Sequence, residues 1–225
     1  MQSLPTFSVP SQYPQNFIGG QFLKKHEEWK AQLEYLLAKG YSIPDYIQRI
    51  VQTGVIDLFD SSVYNPKKAL TFNRKTYSQL SELQAKYTCP QDNYNTWLSI
   101  DSGFRASYLA EMVQKSIITP LKPHEIPRAT YNPLGSVTQG PKCRITFHHL
   151  INSQYNKLRI SLEHQLRNNN ILLNFKEGQV IDLKSYYHQL PLNYQSSLSC
   201  SFWAMYHGRA TAFRFLVLLL VVEFF

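Results

Sequence analysis

The feature that most constrains this chain is a run of breakers in its middle: Pro120, Pro123, Pro127, Pro133, Gly135, Gly140 and Pro141. Proline fixes φ and has no amide to donate, so no long helix passes through this stretch and short elements must follow it. Before the run the pattern is helical. Trp29, Leu33, Leu36 and Leu37 fall on one face of a segment closed by Gly40, because glycine readily adopts the left-handed conformation after a helix end. Ser42-Ile43-Pro44-Asp45 reads as a capping box opening a short helix through Ile47, Ile50 and Val51, which Gly54 ends. A third helix is expected over Lys75 to Tyr87. A fourth, starting near Ser102, turns Leu109, Met112, Val113 and Ile117 toward a core.

Beyond Ile118 the expected elements are mostly strands. They cover Gly135–Thr138, Cys143–Phe147 and the buried strand Val180-Ile181-Asp182-Leu183, with a helix over Ser161 to Asn168. Past Pro191, residues Leu198 to Tyr206 and Thr211 to Leu218 form two strands of a hairpin joined at His207-Gly208-Arg209. Helices first and strands later make the expected class α+β, divided into a helical region, 1–110, and a mixed region, 111–225.

Composition narrows the chemistry. The 225 residues carry a net charge of +8, and thirteen of the Lys/Arg lie in residues 101–225 against seven Asp/Glu. Nine basic residues lie between Lys115 and Lys176, facing only Glu125 and Glu163, so a polyanion such as nucleic acid is the expected partner of that stretch. Three scattered cysteines, Cys89, Cys143 and Cys200, form no CxxC pair, which points to a reducing compartment rather than a disulfide scaffold. The first twenty residues lack a basic segment followed by an apolar one, and the apolar run Phe215–Val222 is too short to span a bilayer. An intracellular protein, nuclear or cytoplasmic and not secreted, with no membrane partner is therefore expected. No H-E-x-x-H or G-x-S-x-G motif and no glycine-rich phosphate loop occurs. Cys143, His148, His149 and His164 fit no common zinc spacing, and adjacent histidines in a strand point to opposite faces.

The residue that matters most chemically is Asp182. A carboxylate in an apolar strand is costly unless it is paired or holds a cation, although an aspartate capping the next turn would also satisfy the pattern. Its context is Asp182-Leu183-Lys184-Ser185-Tyr186-Tyr187-His188-Gln189-Leu190-Pro191-Leu192. This string resembles motif A of retrotransposon reverse transcriptases, the gypsy-like and tyrosine-recombinase (DIRS/VIPER-like) groups above all. Gly135-Ser136-Val137 with Lys142-Cys143-Arg144-Ile145 and Ile151-Asn152 is similar to the fingers segment of the same family, and Phe202, Gly208 and Phe213–Leu218 to the hairpin leading into motif B. The likeness covers roughly residues 112–218.

The resemblance implies an RNA-directed DNA polymerase acting on a template–primer and deoxynucleotides with Mg²⁺, folded as partial fingers and palm. By the same resemblance Asp182 would bind the catalytic Mg²⁺, with the Leu183 carbonyl as a second oxygen ligand. Tyr187 would be the steric gate under the sugar, and Arg144 would clamp the triphosphate, a task that suits a planar guanidinium.

There are departures. His148-His149-Leu150 replaces the usual acidic and basic pair. Leu218-Leu219-Leu220-Val221 replaces the Leu-Pro-x-Gly of motif B, and no Asp-Asp motif C occurs after it. Two-metal phosphoryl transfer needs several hard oxygen ligands, and after Asp182 only Glu223 remains. The expectation is thus a truncated fragment, shifted in reading frame near Val217 and inactive alone. The alternative is an inert, basic nucleic-acid-binding remnant.

Overall fold

In a computed structural model the chain is described over residues 25–68, 82, 102–139, 142–155 and 186–218. The elements are mixed helix and strand, as the sequence pattern requires. Helix α1 (His26–Ala38) begins with Glu27 and Glu28, whose charges favour a helix N-terminus. It ends before Gly40, at φ +81°. The face it buries differs from the expected one. Leu33 and His26 are buried, while Trp29 is 47% exposed and Leu37 38%. Helix α2 (Asp45–Thr53) lies beside α1, and the His26 ring meets the Val51 carbonyl at 2.5 Å. Among the described residues α2 is the main neighbour of α1, and packing on one helix needs only a narrow apolar stripe.

Helix α2 runs where the sequence places it, but not for the expected reason. Pro44 occupies the cap position and no side chain caps the helix. Gln48 instead reaches back, its Nε2 donating to the Ile43 carbonyl at 2.8 Å. Gly54 closes α2 at φ +74°, in the left-handed region, with its amide donating to Ile50. The helix expected over 75–87 lies outside the described residues, apart from helical Glu82. The elements expected at 161–168 and 180–183 lie outside them as well.

Helix α3 (Ser102–Gln114) presents Leu109 and Met112 to the core, with Ile117 just beyond it. Strand β1 (Ile118–Pro120) comes next. It pairs antiparallel with β5 (Arg209–Phe215), which pairs with β4 (Ser201–Tyr206), giving a sheet of order β1-β5-β4. The register sets Ile118 opposite Phe215 and Phe202 opposite Phe213. A second, two-stranded sheet joins β2 (Leu134–Gln139) to β3 (Lys142–Phe147). The strands of both sheets fall near their expected places, and the β4–β5 pairing is the one expected as a hairpin.

Two boundaries need correction, and the first is that the strand expected over Thr211 to Leu218 runs from Arg209 to Phe215. Leu198 and Ser199 belong to a helix, α4 (Tyr194–Ser199), and not to the strand expected from Leu198. Asn193 caps that helix, its Oδ1 accepting from the Ser196 amide at 2.9 Å.

The main core gathers Leu109, Met112, Ile118, Leu192, Phe202, Phe213, Phe215 and Val217, with Leu134 and Phe147 from the β2–β3 hairpin. Ile56, from the amino-terminal half, belongs to the same cluster, and α3 itself runs across the division expected at 110/111. A smaller cluster of Leu121, Tyr131, Leu198 and Ala212 covers the other face of the β4–β5 hairpin. The sheet is therefore packed on both sides. No helix among the described residues is long and apolar enough to cross a membrane.

Candidate functional site

Two segments carry the predicted site residues, and both hang from the β1-β5-β4 sheet. The first is the β2–β3 hairpin. Its register pairs Val137 with Arg144 and Gln139 with Lys142, so residues 142, 144 and 146 share one parity of the ladder. The pair of opposite parity nearest the root, Leu134 and Phe147, is buried in the core.

The second segment holds Tyr187, which lies in a 3-10 turn, Tyr186–Gln189. Residues 190–192, just past the turn, are fastened twice. Pro191 bridges Val217, and the Leu218 amide donates to the Leu190 carbonyl at 2.8 Å. Leu192 donates to Leu216 and bridges Ile56, whose amide donates to Pro191. Asp182 and Leu183, the expected metal-binding pair, lie outside the described residues. Within the turn, His188 is half-buried. Its pKa falls below the usual value because burial disfavours the cation, and the charge of Lys115 adds to the effect.

The root of the first segment is held by Asn132, which sequence reasoning missed. It is 1% exposed and sits just before β2. Its Oδ1 accepts from the Leu150 amide at 3.0 Å, beyond the far end of β3. Its Nδ2 faces three carbonyls, of Thr130 at 3.0 Å, Ser199 at 2.8 Å and Ser201 at 3.0 Å. Those partners settle which way round the amide lies, since a carbonyl only accepts and a backbone amide only donates. The one available signal is Asn132-Pro133, a turn-forming dipeptide.

A buried charge pair lies on the face of the sheet opposite the main core. Arg214 of β5 approaches Glu125 at 3.6 Å, and both are buried. The Arg214 guanidinium also donates to Ser197 Oγ at 2.7 Å and lies over the Tyr194 ring. Glu125 accepts from the Lys122 amide at 2.7 Å and the Tyr194 hydroxyl at 3.0 Å. Burial works to raise its pKa. The Lys122 amide, the Arg214 charge and the Tyr194 hydroxyl outweigh that and hold it below the ordinary carboxylate range. All the parts of this cluster are engaged with one another, so it braces the fold.

No protein-family model matches the chain, and no curated protein matches it. The chemistry rests on the residues alone.

One arrangement superficially resembles a nucleophilic dyad. Cys200 Sγ lies 3.9 Å from His149 Nε2, and Ser199 Oγ lies 3.5 Å from the same nitrogen. Burial pushes the Cys200 thiol up to about 12, so it stays protonated and unreactive at neutral pH. Burial also drops His149 to about 4, which makes it a neutral core histidine. His148 beside it is exposed, the alternation expected of neighbours in extended chain. Among the described residues no three His, Cys, Asp or Glu side chains gather where they would hold a metal ion.

Proposed function

We propose that this chain contributes the fingers and the first metal-binding strand of a retroelement RNA-directed DNA polymerase. The observation that carries the reading is the Asp182-to-Leu192 string, placed after a paired hairpin bearing Lys142 and Arg144. In this reading Asp182 would hold a Mg²⁺, which would supply charge to offset the triphosphate. Arg144 grips the phosphates, Tyr187 gates the sugar, and the basic stretch from Lys115 to Lys176 holds the template–primer backbone. Primer extension is not expected of the chain by itself, because Asp182 and Glu223 are its last two carboxylates and one strand aspartate cannot hold two ions.

The test is fluorescence anisotropy with a labelled RNA template–DNA primer, with Mg²⁺ present, adding the matched or a mismatched deoxynucleotide. The matched nucleotide should tighten binding about tenfold, roughly 1.4 kcal/mol. Asp182→Ala and Arg144→Ala should each remove that gain. Equal affinity with both nucleotides would overturn the reading.

The second reading is an inert basic nucleic-acid binder, favoured by the surplus of positive charge in residues 101–225. It gives salt-dependent binding through counterion release, indifferent to the nucleotide added.

A further inference from the structure

We propose that Asn132 is the positioning residue that sets the β2–β3 hairpin against the segment carrying Tyr187. This rests on the nucleotide-gripping reading of Arg144 and Tyr187.

Both ends of the hairpin meet at this one side chain. Asn132 enters β2 directly, and through Oδ1 it takes the amide of Leu150, three residues past the end of β3. Backbone bonding adds a second clasp at the root, the His148 amide to the Pro133 carbonyl at 3.2 Å. The Asn132 Nδ2 group then ties the root to Ser199 and Ser201, the end of α4 and the start of β4. Ser201 pairs with Arg214, and the Phe215 amide donates to Cys200 at 3.1 Å. The next residues of the same strand end, Leu216 to Leu218, hold residues 190–192 beyond the Tyr187 turn. Backbone pairing and the Asn132 amide therefore link the β2–β3 ladder through the sheet to residues 190–192, which follow the turn containing Tyr187.

Apolar burial would keep the hairpin attached but would not fix its angle, because the hydrophobic effect is non-directional. The acceptor and the two N–H donors of a planar amide do fix it. A two-strand ribbon is marginal on its own, so its orientation depends on what grips the root. Small errors at that root grow along the strand toward residue 144.

The experiment uses the full chain with Asn132→Ala, and with Asn132→Asp, which keeps the acceptor for Leu150 and loses the donors. The aspartate variant carries the test if the alanine variant does not fold. Leu121→Ala, in the smaller cluster, is the control for general destabilisation. Two readouts are taken: amide exchange across residues 134–147 relative to 201–215, and the anisotropy gain from the matched nucleotide. In the Asn132 variants the hairpin amides should exchange about tenfold faster relative to β4–β5. The nucleotide gain should fall by a similar factor, while template–primer affinity stays within about twofold. Leu121→Ala should speed both hairpins alike and leave the nucleotide gain in place.

Unchanged relative exchange overturns the proposal. So does faster exchange with the full nucleotide gain kept. If the unmodified chain shows no nucleotide gain, the polymerase reading of Arg144 and Tyr187 is what falls. The exchange data then report separately whether Asn132 pins the hairpin.

Discussion

The two hairpins of this molecule are held in opposite ways. The β4–β5 hairpin is covered on both faces, by α3 and the main core on one side and by Leu121, Tyr131 and Leu198 on the other. Phe202, Phe213 and Phe215 stack through it with ring centres 5.1 to 5.6 Å apart. Among the described side chains of the β2–β3 hairpin, the core takes Leu134 and Phe147, the pair at its root, where hydrogen bonds also gather. Area holds the first and direction holds the second. A scaffold needs the former, while a device that must meet a ligand at a fixed angle needs the latter.

The largest expected effect breaks the scaffold side of that contrast. Phe213 is 0% exposed, and truncating such a side chain costs about 3–5 kcal/mol through lost burial and the cavity left behind. Phe213→Ala should therefore lower the urea midpoint sharply, with circular dichroism and amide exchange reporting loss of both hairpins together. Survival of β2–β3 in that variant would show that it is independent of the sheet.

A smaller effect comes from His149, just past β3. Its folded pKa is about 4, against an ordinary value of 6.5, because the site is buried. The unfolded chain thus binds a proton that the folded chain refuses. Stability is intact above pH 6.5 and falls as pH drops toward 4, by at most about 3 kcal/mol. Urea titrations at pH 7 and pH 4.5 should show the loss. His149→Phe should flatten the slope between pH 6.5 and 4, and an unaltered slope would place the titrating group elsewhere.

The sequence is most informative where local rules decide the outcome. Gly54 and Gly208 punctuate as expected, α3 turns Leu109 and Met112 inward, and both strand pairs form where apolar residues meet turn signals. It is least informative where tertiary partners decide. Trp29 and Leu37 fit a helical stripe but are exposed, because among the described residues α1 packs mainly on the short helix α2. Ser42 does not cap α2, since Pro44 already fixes the entry. Leu198 has the pattern of a strand residue, yet the Asn193 cap draws it into a helix.

The same reasoning applies to the site. Arg144 and Tyr187 are candidates that the strings around them suggest. Asn132 is not among them, because its four partners lie at 130, 150, 199 and 201. No spacing along the chain brings those positions together. Glu125 and Arg214, far apart in sequence, pair in space for the same reason.

The smallest effect sharpens the comparison at the hairpin tip. The β4–β5 turn has two central residues, His207 at φ +49° and Gly208 at φ +74°. Positive φ at both positions matches the right-handed twist of the strands. A Cβ added at Gly208 would meet nothing within 4 Å, so Gly208→Ala carries no steric clash and only the backbone penalty. That penalty is about 1 kcal/mol. Thermal melting should show a fall of a few degrees, with the nucleotide response and the exchange of residues 134–147 untouched. The tip belongs to the hairpin held by area, and a local strain there has no directed bond through which to reach Arg144. A change in the β2–β3 amides on Gly208→Ala would mean that the two hairpins share more than the root at Asn132, and that direction is set in both.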